Sequence, residues 1–106
     1  MIARSWTAEA IPEQAEEYIL HFRTKVLPVI ASIEGHRGAY VLKRRRDEVV
    51  ELVVITLWES MDAVRNFAGD DPDVAVVTRE ARAILSRYDE HVAHYEVAWR
   101  PHSSQF

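Results

Sequence analysis

"VVELVVITLW", residues 49 to 58, is apolar at nearly every position from Leu52 to Trp58. A strand with one wet face alternates apolar and polar side chains, so this run reads as a central strand covered on both faces. Working outward, "AYVLKRR", residues 39 to 45, reads as a neighbouring strand that follows the two-glycine turn "EGHRG". "KRRR", Lys43 to Arg46, then falls at the tip of the hairpin between the two. A solvated tip of this kind keeps the end of the ribbon from sticking to its neighbours. The alternative is a seat for an anionic ligand or a partner surface.

Upstream, "MIARSWTA" alternates as a first strand, with Ile2, Arg4 and Trp6 on one face and Ala3, Ser5 and Thr7 on the other. Pro12 and the acidic residues Glu13, Glu16 and Glu17 suit the start of a helix. Ala15, Tyr18, Ile19, Phe22, Val26, Val29, Ile30 and Ile33 then draw one apolar stripe at steps of three and four. Pro28 predicts a kink or break in it. His21 lies off the stripe and reads as solvated.

Downstream, Ser60 caps a short helix that Gly69 ends, with Val64, Phe67 and Ala68 on its inner face. The acidic turn Asp70 to Asp73 reads as a helix start signal. "VAVVTREARAILSRY", residues 74 to 88, reads as the helix itself, with Val74, Val77, Ala81, Ile84, Leu85 and Tyr88 as its apolar side. "EHVAHYEVAW", residues 90 to 99, is the closing strand.

The order strand, helix, strand, strand, helix, strand predicts an α+β fold of the ferredoxin-like βαββαβ kind. Helices on one side leave the other face of such a sheet bare, although its central strand is apolar on both sides. A symmetric homodimer is the economical cover.

A chain of 106 residues, 48% hydrophobic and 28% charged, fits one packed domain. That domain is expected over residues 1–99, with "RPHSSQF", residues 100–106, as a C-terminal tail to which no role is given. The absence of cysteine removes disulfides, thiolate nucleophiles and iron–sulfur clusters, and permits a reducing cytoplasm. No signal peptide or membrane span is legible, and a net charge of -4 argues against a general nucleic-acid partner. A soluble, cytoplasmic protein is expected.

His91 and His94 stand three apart, a spacing that places them on opposite faces of a strand and so defeats a shared metal ion. His94 has two readings: a hydrogen-bonded histidine of the core or an interface, or a polar group facing a ligand cavity as a proton acceptor. Arg4 and Trp6 share a face, which suits a polar cavity or a subunit boundary more than a sealed core.

"TLWESMDAVRNFAG", Thr56 to Gly69, with "HYEV", His94 to Val97, and "IAR-x-W", Ile2 to Trp6, resembles the antibiotic biosynthesis monooxygenase family along nearly the whole chain. The resemblance implies a dimeric α+β barrel, with a pocket between sheet and helices in each subunit. Members similar to this chain either oxidise polycyclic phenolic substrates with O2 and no metal or flavin, or bind haem and degrade it. For the first activity His94 would be the catalytic base, and Arg4, Trp6, Tyr18, Phe22, Trp58 and Phe67 would bind a flat substrate; core packing alone also accounts for most of these aromatics. The haem-degrading pattern has a Trp, an Asn and an iron-binding His where this chain has Phe67, Ser5 or Thr7, and Val77, which argues against haem degradation. Phe67 also departs from the Trp common in the oxygenases.

The expected function is thus a cofactor-independent monooxygenase acting on an aromatic, enolisable small molecule. The alternatives are a non-catalytic dimer that binds a small aromatic or apolar ligand, and a proton-transfer enzyme, an isomerase or cyclase, using the same pocket.

Overall fold

The structure, a computed structural model, describes residues 1–101. Its sheet has five strands: β1 (Ile2–Ala10), β2 (His36–Arg46), β3 (Val49–Trp58), β4 (Arg87–Tyr88) and β5 (Ala93–Glu96). β3 lies between β2 and β1, and β4 and β5 both pair with the far side of β1. The β1–β3 ladder is antiparallel from Ile2 opposite Trp58 to Ala10 opposite Val50. This is the ferredoxin-like α+β arrangement that the order of elements predicts. The run at 49–58 is indeed its central strand.

Period two sorts β3 cleanly. Val50, Leu52, Val54, Thr56 and Trp58 are buried under the helices, whereas Val53, Ile55 and Leu57 on the other face are only partly covered. Residues opposite one another on antiparallel strands share a face. Tyr40 opposite Ile55 and Leu42 opposite Val53 therefore extend the uncovered face, as does Tyr95 opposite Ala3. Tyr40 is 55% exposed and Tyr95 60%. Arg44 and Arg46 close one end of this face through ion pairs with Glu51 and Glu9.

The helical layer consists of α1 (Pro12–His21), a π-turn at Phe22–Val26, α2 (Leu27–Ala31), α3 (Met61–Ala68) and α4 (Arg79–Ile84). Pro28 does not break the first helix. It has no N–H to give to the preceding turn, and the chain absorbs the defect as a widened turn in which the Leu27 N–H reaches back to the Phe22 carbonyl. Thr24 returns its hydroxyl to the Leu20 carbonyl at 2.8 Å. Ser60 caps α3 by accepting from the Ala63 N–H, and Gly69 ends it at φ 85°. Gly35, at φ 95°, is where β2 departs beside α3; a Cβ added there would stand 2.6 Å from that of Ala63.

Other expectations are corrected. The basic run Lys43–Arg46 is not the hairpin tip but the paired end of β2, and the turn is made by Asp47, at φ 55°, and Glu48. The helix expected over 74–88 is confined to Arg79–Ile84. Its start signal is Thr78, whose hydroxyl accepts from the Ala81 N–H, and not the acidic turn at Asp70–Asp73. Residues 74–78 run extended because hydrogen bonds from Ala75 N–H to Glu90 and from Val92 N–H to Asp73 tie the segment to the chain leading into β5. Tyr88 belongs to β4, opposite Ala8. His21 is not solvated: it is 7% exposed, packed beside Tyr18.

No helix among the described residues is long and apolar enough to cross a membrane. Residues 102–106 of the tail lie outside the described residues.

Candidate functional site

Between the helical layer and the buried face of the sheet lies a cavity of about 160 Å3. Three groups of residues build its walls. The sheet contributes Arg4 and Trp6 of β1 with Val54 and Thr56 of β3. The first helix contributes Tyr18, Phe22, Lys25, Val26, Val29 and Ile30, and the π-turn sets the angle at which this set faces inward. Across from them stand Phe67 of α3 and the extended strap Ala75–Thr78. Lys25, Val29 and Val76 are the exposed wall residues and mark the opening.

An engineered apolar cavity of roughly 150 Å3 holds a benzene, so one ring fits here with little to spare. Further rings would pass out through the opening.

The walls are nearly all apolar, and Arg4 is the exception at depth. Its residue is 5% exposed, and a buried guanidinium must be neutralised by partners. Nη1 donates to the Pro72 carbonyl and lies 2.9 Å from His94 Nε2, and Nη2 donates to the Val74 carbonyl at 3.1 Å. The cation also lies 5.7 Å from the Phe67 ring centre, within cation–π range. Burial lowers its pKa from the ordinary arginine value, and the carboxylate of Asp73 opposes that shift. Even so, guanidinium stays protonated in proteins. These contacts do not occupy every N–H of the fork.

His94 stands opposite Arg4 across the β1–β5 ladder. It is not a wall residue of the cavity. Because Arg4 has only donors, His94 Nε2 must accept from it, and Nδ1–H then donates to Asp73 Oδ1 at 3.2 Å. Desolvation and the neighbouring Arg4 charge lower the His94 pKa, while the Asp73 hydrogen bond and charge raise it, with the lowering dominant. The imidazole is thus a neutral link between a buried cation and a surface carboxylate, with its one free lone pair already used.

Of the other sequence candidates, Arg4, Trp6, Tyr18, Phe22 and Phe67 meet on the cavity wall, and Trp58 does not. Trp58 is fully buried behind the wall, stacked on Phe67 at 5.6 Å and donating its indole N–H to Thr56. Trp6 donates its indole N–H to the Asp89 carbonyl at 2.7 Å, which leaves a ring face for the cavity. Burial pushes the Tyr18 phenol pKa up from its ordinary value.

The sequence reading missed Lys25, Thr56 and the strap. A signal for the strap exists in "VAVVT", whose β-branched residues favour extended backbone, followed by Thr78 with Glu80 in the next turn as a helix start.

A ferredoxin-like sheet with an apolar, arginine-bearing cavity beneath its helices defines the chain as an α+β protein. The chain belongs to the antibiotic biosynthesis monooxygenase family, whose pattern matches residues 1–73. No curated protein matches it. Among solved structures, an antibiotic biosynthesis monooxygenase-like protein from Bacillus cereus is similar at 20% identity and a TM-score of 0.69, covering 99% of this chain and 98% of that one. A haem degrader from Mycobacterium tuberculosis, solved with two haems in its active site, is similar at 17% identity and a TM-score of 0.64, over 95% and 99% of the chains. A monooxygenase from Streptomyces coelicolor, in complex with nanaomycin D, is similar at 16% identity and a TM-score of 0.59, over 94% and 91%. At these identities the likeness is one of fold.

Among the described residues the cavity is lined by no His, Cys or Met, Tyr18 is its one wall residue of a type that ligates haem iron, and Val77 stands on the strap where the sequence reading placed the missing histidine.

Proposed function

We propose that the protein is a cofactor-independent monooxygenase of a small aromatic, enolisable phenol, working as a homodimer. The observation that carries the reading is Arg4, a buried cation with unused donors on the wall of an otherwise apolar cavity. A phenol that enters as a neutral molecule gains affinity from the apolar walls, and once ionised it gains the guanidinium. The electron-rich anion then reduces O2 directly. One oxygen atom enters the substrate carbon as a carbonyl, the other leaves as water with the two hydrogens of that carbon, and all four electrons come from the substrate. Trp6, Tyr18, Phe22 and Phe67 supply the flat walls and exclude water. His94 acts through Arg4, by holding it in place, and not on the substrate.

Oxygen uptake with a simple hydroxyanthrone, corrected for spontaneous oxidation, tests this. Arg4→Met should lower turnover by roughly a hundredfold, the scale for losing one preorganised donor. Uptake at background for both proteins would favour the second reading, a non-catalytic ligand-binding dimer. That reading has its own support, because no imidazole or carboxylate among the described residues lines the cavity. Substrate hydrogen exchange without O2 would instead mark a proton-transfer enzyme.

A further inference from the structure

His21 is a buried imidazole that the reading above leaves unused. It closes α1 at the head of the π-turn, with its Nε2 2.9 Å from the hydroxyl oxygen of Thr78. Thr78 is itself a wall residue of the cavity. As cap of α4, its Oγ1 already accepts the Ala81 N–H at 3.1 Å. A hydroxyl has one proton and two lone pairs. With one lone pair given to Ala81 and the proton turned to His21 Nε2, one lone pair remains for an O–H arriving in the cavity. π-turns are rare and concentrate at functional sites, and this one follows His21 directly and carries the cavity residues Phe22, Lys25 and Val26.

We propose that Thr78 and His21 form a proton relay that ionises a phenolic or enolic ligand in the cavity. The ligand O–H gives its proton to Thr78 Oγ1 as the Thr78 proton passes to His21 Nε2. The electron pair stays on the ligand oxygen, which becomes an oxyanion facing Arg4, and His21 becomes an imidazolium. Thr78 is the catalytic residue of this step, because it touches the reacting atom, and His21 acts through it. The relay supplies the proton acceptor that the cavity wall lacks, and it rests on the reading of the cavity as a site for an ionisable aromatic.

The test uses para-nitrophenol, a single ring whose phenol and phenolate absorb at different wavelengths. Difference spectra across pH give both its binding and its ionisation in the bound state. Wild type should bind the probe saturably and ionise it in the bound state. His21→Gln keeps a hydrogen bond to Thr78 but takes up no proton; its bound probe should ionise about one pH unit higher or more, a tenfold change in the equilibrium or larger. Bound-state ionisation that is unchanged in His21→Gln, with binding intact, overturns the relay and leaves the cavity reading standing. No saturable binding by wild type at any pH overturns the cavity reading and the relay with it. Should His21→Gln fail to melt cooperatively, the imidazole nitrogen shifts of wild-type His21 replace it: movement to the charged form on adding probe supports the relay, and a neutral imidazole overturns it.

Discussion

Arg4 and His94 were both singled out by the sequence, but the reason for their pairing is geometric. They are ninety positions apart and meet because β1 and β5 lie antiparallel with these two residues opposite. Residue identity flagged a guanidinium out of place among apolar neighbours. It gave no indication that the histidine's acceptor would be turned toward that guanidinium and away from the cavity. The fold holds the neutral imidazole, so the His94 pKa is depressed below the unfolded value of about 6.5. Its stabilising contribution is complete above that value and is lost as the pH falls through it, because the unfolded chain then binds more protons. Between pH about 7.5 and about 5.5, wild type should therefore lose more melting temperature than His94→Gln, which keeps an acceptor that does not titrate. Equal losses would show that His94 is indifferent to its charge.

Among the elements, the strap Val74–Thr78 departs most from the sequence reading. Valines at 74 and 77 with Ala81 and Ile84 satisfy a helical stripe, yet the five residues 74–78 run extended. Helical periodicity is a local signal, and here it loses to tertiary partners: Arg4 takes the Pro72 and Val74 carbonyls, and the approach to β5 takes the Asp73 carbonyl and the Ala75 N–H. Gly35 illustrates the opposite case, a turn glycine legible in sequence whose necessity is tertiary. Alanine there would adopt a positive φ and drive its Cβ into Ala63. Gly35→Ala should cost about 2 kcal/mol or more in denaturant unfolding, as backbone strain and overpacking add. Gly69→Ala serves as the comparison, because it shares the positive φ but meets nothing within 4 Å, and it should cost less.

For the whole molecule, the uncovered sheet face is the feature the central strand announced. Val53, Ile55, Leu57, Tyr40 and Leu42 form a contiguous apolar surface, with the arginine and glutamate pairs at one end. Contiguous exposed apolar surface of this kind marks an interaction site, and a second copy is the occupant expected. Light scattering should return twice the chain mass of 12.2 kDa. Leu42→Glu, at a position 48% exposed in the monomer, should halve the mass while leaving the circular dichroism spectrum intact. A wild-type monomer at micromolar concentration would remove the dimer from the proposal.

The sequence by itself determined the order of elements from β1 through α3, the central position of β3 and the caps at Ser60 and Gly69, since period-two and period-three-to-four patterns and cap residues are local properties of the chain; the family resemblance rested on its separate motifs. It also picked four aromatic residues that line the cavity, because aromatic side chains on inward faces are bound to meet, and Arg4 through its shared strand face with Trp6. Only the tertiary structure decided which polar groups meet. His21 was set aside on its position off a helical stripe, and it became buried when Thr78 was brought 2.9 Å from its ring. His94 had two readings in the sequence, a hydrogen-bonded histidine or a cavity base, and it is hydrogen-bonded to Arg4 and is not on the cavity wall. Hydrogen-bond partners far apart in sequence are set by register and packing, and no periodicity in the chain encodes them.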